Sequence, residues 1–219
     1  MKVILFGATG MVGQGVLREC LLDDGIEGVL AVGRAASGQT HAKLTDGVHA
    51  DLYDYTAIES TLSGYDACFF CLGVSAAGLS EAQYQRITYD LTLAAAQTLV
   101  RLNPAMTFVY VSGMGTDSGE RGRSMWARVK GKTENALLRL PFTAAYMLRP
   151  GMIQPLHGVR SKTGWYRALY AVTTPLLPLM RAAFPHAVTT TEQVGRAMIK
   201  LARSGYRQRV LESADINRI

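Results

Sequence analysis

A glycine-rich turn near the N-terminus constrains the fold more than any other feature of this 219-residue sequence. Val3–Phe6 is a short apolar run typical of a buried strand, and Met11–Leu22 carries apolar residues at helical spacing. The segment that joins this strand to the helix, and continues into the first turn of the helix, is Gly7-Ala8-Thr9-Gly10-Met11-Val12-Gly13. A strand, a tight turn and a helix in direct succession are typical of the first unit of a parallel α/β sheet.

The glycines of this turn have separate structural roles. Gly7 permits a sharp turn, Gly10 lets the backbone approach a pyrophosphate, and Gly13 lets the helix pack close to the strand. The start of the helix then offers unpaired N–H groups and a partial positive charge to phosphates. The residues expected to line the pyrophosphate are Gly7, Thr9, Gly10, Met11 and Val12. The sequence therefore predicts a dinucleotide-binding turn.

The rest of the chain continues to alternate apolar runs with helical stretches. Further strands are predicted at Gly28–Arg34, Val48–Ala50, Ala67–Leu72, Thr107–Ser112 and Thr143–Leu148. Helices are predicted at Tyr55–Leu62, Ser80–Leu102 and Met125–Arg139. This order predicts the α/β class, with a Rossmann-like, doubly wound parallel sheet and helices on both faces.

The length suits one domain over residues 1–219. We expect a cofactor-binding core over residues 1–153 and a small C-terminal lobe on the substrate side over residues 154–219. The lobe is predicted to end in a helix near Thr191–Ala202 and a strand at Arg209–Glu212.

Composition excludes several classes of protein. Charged residues make up 18% and hydrophobic residues 48%, which excludes disorder as the main state. The longest uncharged stretch, Leu102–Thr116, is too short for a transmembrane helix, and no secretory signal is expected. Cys20, Cys68 and Cys71 form no even disulfide framework, so we expect a reducing, cytoplasmic location. Cys68 and Cys71 should point to opposite faces of one strand, so no metal site is expected.

The charge distribution suggests an anionic partner. The net charge is +6, and residues 135–191 contain no Asp or Glu. The basic residues of that stretch are Arg139, Arg149, Arg160, Lys162, Arg167 and Arg181. This distribution is compatible with a partner that is a phosphorylated or carboxylated small molecule, an acidic membrane or nucleic acid. It is also compatible with a basic face that contacts only solvent.

Two of these partners have weaker support in the sequence. Membrane-surface binding through Trp165–Phe184 is disfavoured because Pro175 and Pro178 would break a continuous helix. Nucleic-acid binding rests on charge alone, so we expect none. A small molecule, with an anionic group as one option, is the expected partner.

The spacing of the three glycines resembles the extended and atypical branches of the short-chain dehydrogenase/reductase superfamily. Further matching segments are Asp51-Leu52, Cys71-Leu72-Gly73, Ser112, Val129-Lys130-Gly131 and Arg149-Pro150-Gly151. The matches cover residues 1–153, and the chain is most similar to the small Tat-interacting-protein-like oxidoreductase group within the NAD-dependent epimerase/dehydratase-like proteins.

The resemblance implies a role for each matching segment. It places Asp51 and Leu52 at the adenine, Leu72 and Gly73 beside the ribose, and Pro150 next to the nicotinamide. It also implies that Ser112 orients the substrate oxygen and that Lys130 holds the ribose of the nicotinamide half.

The residue at the end of the second strand indicates the cofactor. NAD enzymes carry an acidic residue about twenty positions past the turn, where it binds the ribose 2′-hydroxyl. Here Gly33 and Arg34 occupy that region, and Arg34 can bind a 2′-phosphate through a charge-assisted pair. NADP is therefore expected rather than NAD.

The catalytic position departs from the superfamily pattern, in which a Tyr precedes the Lys by four residues. Trp126 stands there, and an indole N–H cannot release or take back a proton as a phenol does. Ser112, Trp126 and Lys130 remain the candidate catalytic residues. Other groups that could supply a proton are Thr116, Ser118, Ser124, Tyr84, Tyr89 and His157.

Two functions remain open at this point. The first is an NADP-dependent oxidoreductase, or an epimerase-type enzyme, with altered acid–base chemistry. The second is a catalytically weak or inactive NADPH-binding regulator that acts through protein partners. Both need the glycine turn and differ at Trp126. A monomer and a homodimer are both compatible with the sequence.

Overall fold

A seven-stranded parallel sheet forms the centre of the computed structural model, which describes residues 1–158 and 188–219. Its strands are β1 Lys2–Phe6, β2 Gly28–Gly33, β3 Leu44–Val48, β4 Ala67–Phe70, β5 Thr107–Val111, β6 Ala144–Arg149 and β9 Val210–Glu212. They lie in the order β3-β2-β1-β4-β5-β6-β9, and each neighbouring pair is parallel. The strands β7 Met152–Gln154 and β8 Val188–Thr190 form a separate parallel pair.

The helices cover both faces of the sheet. They are α1 Met11–Leu22, α2 Glu81–Gln85, α3 Leu91–Leu102, α4 Met125–Arg139, α5 Thr191–Ser204 and α6 Ser213–Ile216. In β1, Val3 and Leu5 pack with α1 and α5, whereas Ile4 and Phe6 pack with α3 on the opposite face. Alternate residues of one strand thus enter two hydrophobic cores, which is why the strand is apolar throughout. The predicted Rossmann-like, doubly wound sheet is confirmed.

Two glycines set the distance between α1 and α5. A Cβ atom on Gly15 would lie 2.4 Å from Cβ of Thr191, and one on Gly195 would lie 2.8 Å from Cγ of Glu19. No side chain fits at either position without moving a neighbour. The two helices therefore approach closely, and this contact fixes the helix that begins at the glycine turn.

Three predicted elements differ from the structure. The third strand is Leu44–Val48 rather than Val48–Ala50, because this half-exposed edge strand contains Thr45, Asp46 and Gly47 and lacks an apolar run. The helix expected at Tyr55–Leu62 is only a 3₁₀ turn at Thr56–Ile58. The helix expected at Ser80–Leu102 is interrupted by a π-helical turn at Arg86–Asp90.

The other predicted helices and strands agree with the structure within two residues. Helices α1 and α4 have the predicted bounds, and the last helix and strand of the chain are present as α5 and β9. β9 joins the central sheet beside β6.

The cysteines are placed as predicted. Cys68 packs in the core beneath α3, and Cys71 packs with the core beneath α1. Within residues 1–158 and 188–219, no cluster of His, Cys, Asp and Glu could hold a metal ion. In the same part of the chain, none of the helices has the length and apolar character needed to span a bilayer.

Candidate cofactor and active site

The glycine turn joins β1 to α1 with its first-turn N–H groups unpaired. The Gly10 N–H donates to the Gly7 carbonyl over 2.9 Å, and the Gln14 N–H donates to the Gly10 carbonyl over the same distance. Gly10 is the N-cap of α1, and no side chain caps the helix among the described residues. The N–H groups of Met11, Val12 and Gly13 precede the first intrahelical bond, so they can bind an anion.

The three glycines of the turn face different surroundings. Gly7 has φ +82°, and a Cβ there would lie 2.7 Å from the Leu72 nitrogen. A Cβ on Gly13 would lie 2.0 Å from the Gly7 carbonyl oxygen. A Cβ on Gly10 would meet one atom only, the Gly7 oxygen at 3.3 Å. The fold itself therefore requires Gly7 and Gly13, whereas Gly10 leaves space for a phosphate.

A cleft of about 820 Å³ lies over this turn at the carboxyl ends of the strands. The predicted cofactor residues that line it are Gly7, Thr9, Gly10, Met11, Arg34, Asp51, Leu52, Leu72 and Gly73. Those outside its lining are Val12, Gly13, Ser112, Trp126, Lys130 and Pro150. Its position and its glycine cradle fit a dinucleotide, which binds at this edge of such sheets.

The end of the cleft near Asp51 contains residues that the sequence did not identify. The Asp51 carboxylate accepts a hydrogen bond from the Tyr53 N–H over 2.9 Å, which leaves Leu52 buried beneath the cleft. The Tyr53 hydroxyl donates to the Arg86 carbonyl over 3.3 Å, and the Arg86 guanidinium lies 5.5 Å from the Tyr53 ring centroid. Ile87, in the π-helical turn, also lines the cleft.

Arg34 lies at the edge of the cleft with its side chain exposed. It forms no ion pair or hydrogen bond with any residue in the described ranges. The loop that follows is anchored because Asp46 accepts hydrogen bonds from the Ser37 N–H at 2.9 Å and from the Ser37 hydroxyl at 3.2 Å. An anchored loop thus presents a guanidinium that no described carboxylate neutralises.

Ser112 follows β5 directly and is 8% exposed. Its N–H donates to the Leu148 carbonyl over 2.7 Å, and its Oγ lies 2.9 Å from Thr116 Oγ1. The single hydroxyl proton of Thr116 is donated to the Gly113 carbonyl over 2.7 Å. Ser112 therefore donates the hydrogen bond between the two hydroxyls, and Thr116 Oγ1 accepts it. This hydrogen bond holds Ser112 Oγ in one orientation.

Lys130 reaches the same end of β5 from α4. Its Nζ donates to the Val111 carbonyl over 3.3 Å and to the Tyr110 hydroxyl over 3.5 Å, and it lies 5.1 Å from the Tyr110 ring centroid. Burial lowers the pKa of Lys130 to about 8, and the Glu134 carboxylate one helical turn away partly opposes this effect. The ammonium is thus fixed next to Ser112.

Trp126 lies on the first turn of α4 and is half-buried. Its ring packs against the loop after β5, 3.5 Å from the position that a Cβ on Gly115 would occupy. Gly115 has φ +87°, which favours glycine. The indole therefore supports the Gly113–Thr116 turn that holds Ser112.

A buried ion pair joins α4 to β6 behind these residues. Arg149 Nε donates to both Glu134 oxygens over 3.0 and 3.2 Å, and Glu134 is 1% exposed. Arg149 also contacts Glu212 at 3.4 Å and donates to the Ser118 hydroxyl over 2.5 Å. The Arg149 guanidinium thus binds other groups of the protein and does not face an external anion.

Three other residues considered from the sequence, His157, Tyr84 and Tyr89, are outside the lining of the cleft. His157 Nε2 lies 2.8 Å from a carboxylate oxygen of Glu192 on the first turn of α5. Tyr84 is buried, and Tyr89 packs beneath Lys132, whose Nζ lies 4.6 Å from its ring centroid. Arg160, Lys162, Arg167, Arg181 and the segment Trp165–Phe184 lie outside the described residues.

Comparison with known families identifies the chain. Residues 7–153 match a family described as NAD(P)H-binding. The chain belongs to this NAD(P)H-binding family. The sequence resemblance predicted an NAD(P)-binding family, and the solved structures similar to this chain share its Rossmann-like fold.

A curated relative and two solved structures illustrate the likeness. Protein fmp52, mitochondrial, of Emericella nidulans is 32% identical over 159 residues, which cover 69% of this chain and 66% of the relative. Gre2 of Candida albicans, solved with NADPH, has a TM-score of 0.73 at 14% identity, with coverage of 97% and 78%. Bordetella bronchiseptica WbmF, solved with NAD⁺, has a TM-score of 0.67 at 16% identity, with coverage of 99% and 76%.

Two points follow from these comparisons. The matched segment covers about two thirds of the fungal relative's length. The prediction of a cytoplasmic protein is wrong, because the fmp52 relatives from Emericella nidulans, Scheffersomyces stipitis and Aspergillus fumigatus are named as mitochondrial. The earlier expectation rested on cysteine usage, which reports redox state and does not specify a compartment.

The glycine geometry predicts opposite results for two substitutions in the turn. Gly10→Val should abolish NADPH binding and change the free energy of unfolding by less than about 1 kcal/mol, because its side chain enters the phosphate space and meets little protein. Gly13→Val should lower the free energy of unfolding by about 1–3 kcal/mol or more, because its Cβ overlaps the Gly7 carbonyl. Urea unfolding and NADPH fluorescence titration measure both quantities. Unchanged NADPH affinity in Gly10→Val would show that the turn has only a structural role.

Proposed function

We propose that this chain is an NADP-dependent oxidoreductase that acts on a small-molecule carbonyl or alcohol. The observation that carries the proposal is the placement of the glycine cradle, Arg34, Ser112 and Lys130 at the carboxyl ends of the parallel strands, with Arg34 free of ion pairs to any described residue. A cofactor held at one end of this edge and a proton-transfer group at the other are what such a reaction needs.

The residues that would hold the cofactor follow from this geometry. The N–H groups of Met11 and Val12 would bind the pyrophosphate, and Arg34 would bind the 2′-phosphate. Asp51 and Leu52 would contact the adenine, and Leu72, Gly73 and Pro150 would border the nicotinamide half. When bound, the nicotinamide would supply or accept a hydride.

The substrate is proposed to be a small molecule, with an anionic group as an option. Several basic residues near the site are already occupied, since Arg149 pairs with Glu134 and Arg128 pairs with Glu81 at 2.6 Å. An anionic group would therefore contact Arg121 or Arg123, which are exposed in the loop before α4, or residues outside the described ranges.

A regulator that binds NADPH without turnover is the second candidate. Trp126 favours it, because the indole packs on the Gly115 turn and offers no phenolic proton at the usual position. The contact between the Lys130 ammonium and the Val111 carbonyl at the end of β5 favours the first candidate, the oxidoreductase. The two candidates share the cofactor site and differ in turnover.

The cofactor preference is tested at Arg34. Arg34→Ala should weaken NADPH binding by about 10- to 100-fold and leave NADH binding unchanged, because a hydrogen bond to a charged group contributes about 1.5–3 kcal/mol. Fluorescence titrations at fixed ionic strength measure both affinities. Arg139→Ala, an exposed arginine at the end of α4, is the matched control and should bind as the wild type. Equal or tighter binding of NADH by the wild type would contradict the NADP preference.

Turnover is tested at Trp126. Trp126→Tyr should raise NADPH consumption above that of the wild type with a panel of aldehydes, ketones and quinones, because general acid–base catalysis contributes about 10²–10⁴-fold. Trp126→Phe keeps a ring against Gly115 without a hydroxyl and should show no gain. A Tyr variant that binds NADPH normally and reduces nothing would favour the regulator.

A further inference from the structure

We infer that Lys130 is the proton donor of this active site and acts in place of the phenol that Trp126 lacks. The inference rests on the proposed reductase function and assigns the residue that completes its chemistry. It is carried by the position of the Lys130 ammonium among the groups at the carboxyl end of β5.

The geometry places the ammonium where a donor is needed. Lys130 Nζ bonds to the carbonyl of Val111, the residue immediately before Ser112, over 3.3 Å. Ser112 Oγ in turn lies 2.9 Å from Thr116 Oγ1. A substrate oxygen held at Ser112 would therefore lie one residue along the chain from the carbonyl that binds the Lys130 ammonium. An ammonium carries three N–H donors, so two protein contacts leave one for a substrate.

Neighbouring groups are poorer donors. The Tyr110 hydroxyl, 3.5 Å from Lys130, is 1% exposed, and burial raises the pKa of Tyr110 far above its usual range. The Ser112 proton is directed to Thr116. His157 is paired with Glu192 on the first turn of α5, whereas Lys130 and Ser112 lie at the end of β5.

The charges that face Lys130 leave its ammonium only weakly compensated. Glu134, four residues later on α4, is held by Arg149 of β6 in a two-oxygen ion pair. From β5 the nearby titratable group is the buried hydroxyl of Tyr110, whose pKa is raised by burial and by the neighbouring Tyr84 of α2. Burial therefore dominates and lowers the pKa of Lys130 to about 8. A donor with a pKa near the operating pH gives up its proton most efficiently.

The step balances in protons and electrons. When bound, NADPH would supply a hydride to the carbonyl carbon and would become NADP⁺, and the electron pair of the C=O π bond would move to oxygen. A Lys130 N–H bond breaks and an O–H bond forms, which yields the alcohol and a neutral amine. The amine then takes a proton from solvent water, and NADPH is the reductant.

The test compares three variants with the wild type. Lys130→Arg keeps the positive charge but cannot release a proton in the accessible pH range. Lys130→Met removes both the positive charge and the transferable proton. Lys132→Arg is the matched control, because Lys132 lies on the same helix with its Nζ near Gln85 and Tyr89. The measurements are NADPH affinity, the pH dependence of carbonyl reduction, and the pH dependence of lysine acylation resolved by mass spectrometry.

The proposal predicts a specific pattern of results. The wild-type reduction rate falls as pH rises through about 8, where the amine loses its proton. Lys130→Arg binds NADPH within about threefold of the wild type, reduces at least about 100-fold more slowly and lacks this pH dependence. Lys130 is acylated with a midpoint near pH 8.

Three outcomes would overturn the proposal. Reduction that persists in Lys130→Arg removes the donor role but leaves the reductase function intact. An acylation midpoint for Lys130 above pH 10 removes the donor role independently of turnover. A wild-type protein that binds NADPH and reduces nothing overturns the proposed function and the donor role together.

Discussion

The site depends on one backbone contact, the approach of α1 to the turn that precedes it. A Cβ on Gly13 would lie 2.0 Å from the Gly7 carbonyl, and one on Gly7 would lie 2.7 Å from the backbone after β4. Because glycine has no side chain at these two positions, the helix can start directly above the ends of the strands. The first-turn N–H groups then point into the cleft, and the close packing of α1 on α5 through Gly15 fixes their direction.

The end of β5, which lies outside the lining of the cleft, is held by side-chain and backbone contacts. The end of β5 is tied to β6 through the Ser112 N–H and the Leu148 carbonyl, and the Glu134–Arg149 ion pair ties α4 to β6. Removing one member of a buried pair leaves an uncompensated charge and typically costs about 3–5 kcal/mol. This pair therefore fixes α4, and with it the position of Lys130.

Much of the fold could be predicted because local patterns encode it. The turn, α1 and α4 follow from glycine spacing and apolar periodicity. The third strand was misplaced because Thr45, Asp46 and Gly47 give an edge strand no apolar signal. The π-helical turn at Arg86–Asp90 was missed because it keeps a nearly helical spacing, although it brings Ile87 to the cleft.

The residues that line the cleft were easier to predict than the contacts at the end of β5. Gly7, Gly10 and Arg34 were chosen for backbone shape and charge, which are properties of the residue type itself, and all three line the cleft. The Thr116 contact with Ser112 and the position of Lys130 against Tyr110 depend on how α4 packs on β5. Those contacts are tertiary, so no motif in the sequence specifies them.

Hydrogen exchange with and without NADPH tests the central claim most directly, since it reports which backbone amides the cofactor covers. The account predicts that NADPH slows exchange in peptides containing Met11 and Val12, and that it leaves the back of α5 unchanged. Unchanged exchange at the turn in protein that has bound NADPH would contradict the account, because the cofactor would then bind elsewhere.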